Sequence, residues 1–193
     1  MIIDRRRQTL KSKWLFIPIL IVILLLTQNT VFPENKNMDI MINTNSKEQQ
    51  FGRQLFDAFN KDSEALWLSL FPTDEEYKTL LQLMLIAKVD GLTQEKIEDI
   101  IKRRKEEAAF TYRKEFKEFQ NQAVNVGVNW SSAGFSNFES EAIYPDNFPN
   151  KYLSGIIWFK AGGSYYMIDG VEAVEIQGEY KLQSIKRIRK IEY

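Results

Sequence analysis

Residues 152–191 read YLSGIIWFKAGGSYYMIDGVEAVEIQGEYKLQSIKRIRKI, and this stretch decides the fold. Three runs rich in aromatic and β-branched residues, Tyr152–Lys160, Tyr165–Ile176 and Tyr180–Ile191, are separated by Ala161-Gly162-Gly163-Ser164 and Gln177-Gly178-Glu179. Such runs favour strands, and glycine-centred pairs between them favour tight hairpins. Strands joined by turns this short run antiparallel, so the stretch predicts a meander. Asp169-Gly170 interrupts the second run, where a glycine can mark a bulge.

Upstream lies a loop, Pro145-Asp146-Asn147-Phe148-Pro149-Asn150, preceded by a weaker strand candidate over Ser136–Tyr144. Before that, Val124, Val126, Val128 and Trp130 alternate with Asn125, Gly127, Asn129 and Ser131, a period of two that predicts a half-buried strand. Before residue 124 the period is helical. Thr93 caps a long helix to about Gln122, with Ile97, Ile101, Ala108, Tyr112, Phe116, Phe119 and Ala123 as its stripe. Its outer face carries opposite charges four apart, as in Glu98–Lys102, Asp99–Arg103 and Arg103–Glu107, the pattern of a solvated face. Thr73-Asp74-Glu75-Glu76 forms a capping box for a helix lined by Tyr77, Leu80, Leu81 and Met84, with Gly91 as its expected stop. Ser46 opens a helix through Phe51, Leu55, Phe56 and Phe59, and Glu64–Phe71 forms a short one ended by Pro72. Helices first and strands after predict an α+β domain over residues 47–193: N-terminal helices, one of them long, packed on a curved antiparallel meander of about four to five strands.

The chain opens differently. Arg5, Arg6, Arg7, Lys11 and Lys13 make residues 1–13 a basic segment. An apolar run from Trp14 to Leu26 follows, and no charge appears until Glu34. Cations, then an apolar stretch, then polar chain is the order of an export signal or a membrane anchor, with the C-terminal body outside. The twenty uncharged residues 14–33 match the length of a bilayer span, and no small-x-small cleavage pattern occurs over Leu24–Phe32. An uncleaved anchor is therefore favoured over a cleaved signal peptide, which would leave a secreted or periplasmic product. Residues 34–46, rich in Asn, read as a tether.

Composition narrows the chemistry. The chain of 193 residues has no Cys and no His, so disulfides, zinc sites built on Cys or His, and Ser–His or Cys–His nucleophiles are impossible. No calcium loop, phosphate-cradling glycine loop or nucleophile elbow is present, and no cofactor or metal is expected. Residues 34–193 hold 21 basic and 25 acidic residues, which disfavours nucleic acid as a partner. Glu139, Glu141 and Asp146 are carboxylates near the start of the sheet, the residue type for acid–base work, but no spacing pairs them and catalysis is not expected.

Two sets of candidate site residues remain. Tyr112, Trp130, Trp158 and Tyr166 are aromatics that a curved sheet could gather around a small apolar ligand, against ordinary core packing as the plainer explanation. Lys181, Lys186, Arg187, Arg189 and Lys190 lie in the last strand run with no acid among them, suiting contact with an anionic surface. The plainer explanation there is a charged edge strand that resists edge-to-edge pairing. The reading is thus an anchored extracytoplasmic domain that binds a protein partner or a small apolar ligand. The alternatives are a carboxylate enzyme in a sheet-lined pocket and a structural envelope protein holding an anionic surface.

The helix–corner–helix segment FGRQLFDAFNKDSEALWLSLF (51–71), taken with the aromatic meander from Tyr152, resembles the nuclear-transport-factor-two-like, cystatin-like α+β group of bacterial envelope proteins. That resemblance implies helices packed into a curved sheet, a cone whose mouth can bind a ligand. Catalytic members of the group use Asp/His pairs in the cone, and this chain has no His to supply one. The resemblance therefore implies a binding domain more than an enzyme.

Overall fold

The computed structural model describes residues 46–144, 148 and 150–192; the basic segment, the apolar run 14–33 and most of the tether lie outside the described residues, as does Asp146. Among the described residues four helices precede the strands. Helix α1 (Lys47–Asn60) starts at Ser46, whose Oγ accepts the Gln49 N–H, and buries Phe51, Gly52, Leu55, Phe56, Ala58 and Phe59 along one side. Gly52 is where the helix meets the sheet: a Cβ there would stand 2.4 Å from Phe138 Cβ. Asp62, in the left-handed region at φ 48°, turns the chain into α2 (Glu64–Ser69), capped by Ser63. The Thr73–Glu76 capping box forms as expected and opens α3 (Asp74–Ile86), which buries Leu80, Leu81 and Met84. Helix α4 runs from Gln94 to Asn125 off the Thr93 cap.

Two local expectations fail here, both at helix ends. The Val124–Trp130 strand does not exist. The helix continues through Asn125, leaving Val124 68% exposed, and Gly127 at φ 81° ends it. Gly127 donates to the Val124 carbonyl (3.0 Å) and Val128 to Ala123 (2.9 Å), the paired bonds of a Schellman stop. A 3₁₀ turn over Trp130–Ser132 follows. The alternation was a coincidence of a polar helix end and a turn, and the glycine was the true signal. Helix α3 likewise stops before Gly91: Ala87 is its cap, and Lys88 takes the left-handed conformation at φ 57° with the same pair of bonds.

The sheet comprises β1 (Gly134–Ile143), β2 (Tyr152–Ala161), β3 (Ser164–Ile176), β4 (Glu179–Ser184) and β5 (Arg187–Lys190). All pairings are antiparallel, in the order β1-β2-β3-β4, with β5 also on β3. Gly162-Gly163 and Gln177-Gly178, all at positive φ, make the two tight hairpins. The expected strand over residues 180–191 is broken in two. Asp169 and Gly170 together face the single residue Ile156, and across from this bulge β4 ends at Ser184 and β5 begins at Arg187. Gly170 is required there, since a Cβ would meet Lys186 Cδ at 2.5 Å and φ is 65°. Further register shifts at Ser136 and Gln183 add curvature. The architecture is α+β, helices against an antiparallel sheet.

The interior forms two clusters. The larger joins α1, α2, the C-terminal part of α4 and one face of the sheet through residues such as Phe59, Trp67, Phe116, Phe138 and Ile157. The smaller joins Leu80, Leu81 and Met84 of α3 to Ile97 of α4 and to Val174 and Ile176 of β3. Because strand side chains alternate, Val171 and Ala173 serve the large cluster while Val174 and Ile176 serve the small one. This end of β3 is buried on both faces. Between Ile97 and Phe116 no residue of α4 is fully buried, so the helix bridges the clusters across a thinly packed middle.

Candidate functional site

The face of the sheet covered by α1, where the four aromatics could gather round a ligand, is filled by the protein's own rings. Trp130 stacks on Phe159 (centroids 5.3 Å apart) and Phe159 on Tyr166 (5.4 Å), with Phe56 and Phe59 packed against Trp130. The Tyr166 hydroxyl donates to the Gly127 carbonyl at 2.9 Å, while Trp130 Nε1 is buried without a hydrogen-bond partner among the described residues. The structure thus brings together Trp130 and Tyr166 but not the other two. Trp158 lies on the opposite face and donates Nε1–H to Glu139 Oε2 at 3.0 Å. Tyr112 lies on α4, stacked on Phe71 at 3.6 Å.

Tyr112 belongs instead to a surface groove of about 310 Å³ between the α2–α3 corner and the middle of α4, lined by Phe71, Pro72, Asp74, Arg104, Ala108 and Tyr112. Its centre is Arg104, whose side chain is only 10% exposed. The guanidinium lies 4.5 Å from the Tyr77 ring centroid and 5.6 Å from that of Tyr112. Nη1 donates to the Tyr112 hydroxyl (2.6 Å), Nη2 to the Pro72 carbonyl, and Nε lies 3.4 Å from Asp74 Oδ1. Burial pushes the Tyr77 and Tyr112 hydroxyls above the ordinary tyrosine range, and the neighbouring cation only partly offsets it. Both Nη groups are engaged inside the protein while buried Nε has no hydrogen-bond partner among the described residues, so Arg104 ties the corner to α4 rather than presenting charge to a ligand. The charge pattern of the helix had hidden it among solvated residues. Its spacing was the available signal: three after Ile101 and four before Ala108, it occupies an apolar-stripe position.

A second polar node ties α1 to the sheet. Glu48 Oε1 accepts from Lys151 Nζ at 2.9 Å and from the Tyr180 hydroxyl at 2.8 Å. Burial opposes ionisation of Glu48, yet these bonds outweigh it and hold the carboxyl at about 2. Tyr180 is pushed up to about 12, chiefly by burial, and Lys151 is raised by its bonds to Tyr180 and Glu48.

The basic residues of the last strands are dispersed among partners. Lys181 bonds Glu76 (3.0 Å) and Glu179 (3.1 Å), and Arg187 and Arg189 share Asp169 at 3.2 and 3.0 Å. Lys186 covers Gly170, and Lys190 stands opposite Tyr166. Of the carboxylate candidates, Glu139 is bonded to Trp158 and Glu141 lies two residues along the same strand. Among the described residues no three His, Cys, Asp or Glu side chains are grouped to hold a metal ion. No helix of the described residues is long and apolar enough to cross a membrane.

Comparison finds no match. No family model, curated protein or solved structure aligns with the chain. Among the described residues the geometry offers shallow surface concavities, such as the Arg104 groove and one of about 350 Å³ near Glu64 and Gln120, and an open sheet with unlike edges.

Proposed function

We propose that this chain is a membrane-tethered extracytoplasmic domain with a non-catalytic binding role, meeting a protein partner on its surface. The observation that carries the binding mode is the filled face under α1: the ring stack of Trp130, Phe159 and Tyr166 occupies the space a small apolar ligand would need. The basic and apolar order of residues 1–33 supports the address. Helices packed on a curved meander are what the resemblance to the nuclear-transport-factor-two-like group implies, and that likeness is part of the same proposal. Fractionation of the native host, with sizing of the mature N-terminus and external protease treatment, tests the address. Membrane-bound protein with an intact N-terminus and a protease-sensitive body is expected; a soluble product starting near Gln28–Val31 overturns the anchor. Native mass spectrometry tests the binding mode, and a stoichiometric small molecule carried through purification would overturn surface recognition.

A further inference from the structure

The two edges of the sheet differ. At β4 the end of α2 meets the outer edge: the Leu182 N–H donates to the Leu70 carbonyl at 2.7 Å. At β1, among the described residues, α1 reaches the edge backbone with one side chain. Gln49 accepts from the Phe138 N–H (3.2 Å) and donates to the Phe138 carbonyl (2.6 Å), imitating a neighbouring strand for one residue. These bonds show that Phe138 points its backbone groups away from β2. By alternation Ser140 and Ala142 do the same, with no partner among the described residues. On β5, Ile191 N–H bonds inward to Tyr165, so Ile188, three residues earlier, points outward.

Side-chain charge is complementary between these edges. Asn137 pairs with Trp158, Trp158 with Met167 and Met167 with Arg189, so all four share the outer face. Two-residue steps then place Glu139 and Glu141 of β1 on that face, together with Arg187 of β5. Two β1 edges meeting antiparallel around Ser140 or Glu141 would set carboxylate against carboxylate, a repulsive arrangement. A β1 edge meeting a β5 edge with Ser140 opposite Ile188 sets Glu141 against Arg187 and Glu139 against Arg189. Strand directions agree: β1 and β3 point alike and β5 runs opposite, so a second copy set alongside continues the sheet antiparallel. Among the described residues Asp169 alone serves both arginines, two positive charges to one negative.

We propose that copies of this chain associate head to tail, β1 of one adding to β5 of the next, with Glu139 and Glu141 facing Arg189 and Arg187. The ladder is short, because Gln49 already occupies Phe138, so the contact is weak in dilute solution. Confinement to a membrane would raise the effective concentration; in that respect only, the proposal rests on the tethered reading. Such an interface is heterologous and builds rows rather than closed dimers.

The absence of cysteine makes the test direct. Ala142→Cys in one full-length preparation and Lys186→Cys in another, co-reconstituted in phosphatidylcholine vesicles, are expected to form a mixed disulfide-linked dimer on mild oxidation. Adding Glu139→Arg and Glu141→Arg to the first chain should cut its yield about tenfold or more. Adding Arg187→Glu and Arg189→Glu to the second chain as well should restore it. Ser140→Pro, which removes an outward N–H without touching the β2 ladder, should also suppress it. Ala142→Cys chains linking among themselves, no mixed dimer, or a yield indifferent to charge reversal would each overturn the proposal. Vesicle flotation of the same samples reads the tether separately, so its failure is distinguishable; a chain that does not float is cross-linked in concentrated solution with the same outcomes expected.

Discussion

The two hydrophobic clusters share a helix and a strand yet differ in how they are held. The larger is enclosed: Phe59, Leu55 and Ile157 are fully buried, and three elements besides the sheet press on it. The smaller has six buried residues, drawn from the α3–α4 hairpin and the last turn of β3, with partly exposed Tyr77, Leu85 and Ile101 around them. Burial depth sets local opening energy, so the large cluster should carry the global stability and the small one should open first. In the thin middle of α4, Arg104 touches a member of each cluster, bonding the Tyr112 hydroxyl and lying over the Tyr77 ring.

The sharpest break would come from the large cluster. Trp67→Ala removes a side chain 1% exposed, together with its bond to the Tyr112 carbonyl, and should cost about 3–5 kcal/mol in urea denaturation, with protection lost across the whole domain. Ile97→Ala in the small cluster should cost about 2–3 kcal/mol, but with hydrogen exchange accelerating mainly in α3 and the first turns of α4 while β2 stays protected. Equal acceleration in β2 would mean one cooperative core and erase the contrast. Arg104→Met should cost about 1–3 kcal/mol, and a double-mutant cycle with Ile97→Ala should show coupling, since the arginine links both clusters.

Smaller effects sharpen the picture. The Glu48 node belongs to the large cluster's rim, and its carboxyl lies below the ordinary value of 4.5, at about 2. A depressed folded value means the stabilisation is present above about pH 4.5 and is lost as pH falls toward 2. Glu48→Gln should therefore cost about 1–2 kcal/mol at neutral pH, and the gap to the parent should close across that acid window. Smallest is a gain: Lys88→Gly relieves the left-handed residue at the end of α3 and should add about 0.5–1 kcal/mol, seen as slower exchange in the small cluster alone.

Much of this arrangement was legible in single residues. Ser46, Thr73 and Thr93 cap where their side chains can reach the third backbone N–H, a local relation that needs no tertiary knowledge. Gly162-Gly163 and Gly178 announced their hairpins because their positive φ excludes most other residues. The failures were tertiary or ambiguous. Val124 alternates with polar neighbours in sequence but sits on the last turn of a helix already committed by Phe116, Phe119 and Ala123. The break between β4 and β5 follows from a bulge on the neighbouring strand, a non-local cause. In the candidate site, Tyr112 was chosen for its ring and proved to matter through Arg104, whose charge disguised a buried position. Trp158 and Tyr166 fall on opposite faces because the two-residue Gly162-Gly163 turn sets Phe159 opposite Tyr166, a register that was legible in the sequence.

The dependence of α1 on Phe138, Phe159 and Tyr180 has a consequence for biosynthesis. Every strand that covers its apolar side lies after residue 133, and the last of these partners follows Asn60 by 120 residues. At ~5–20 residues per second, the ribosome leaves Phe51 and Phe56 without the last of these sheet partners for roughly 6–24 s. During that interval the nascent chain displays an amphipathic helix whose sheet-facing side is uncovered. A holdase or export factor that recognises such a face has its window there, and the window closes only when the final hairpin emerges.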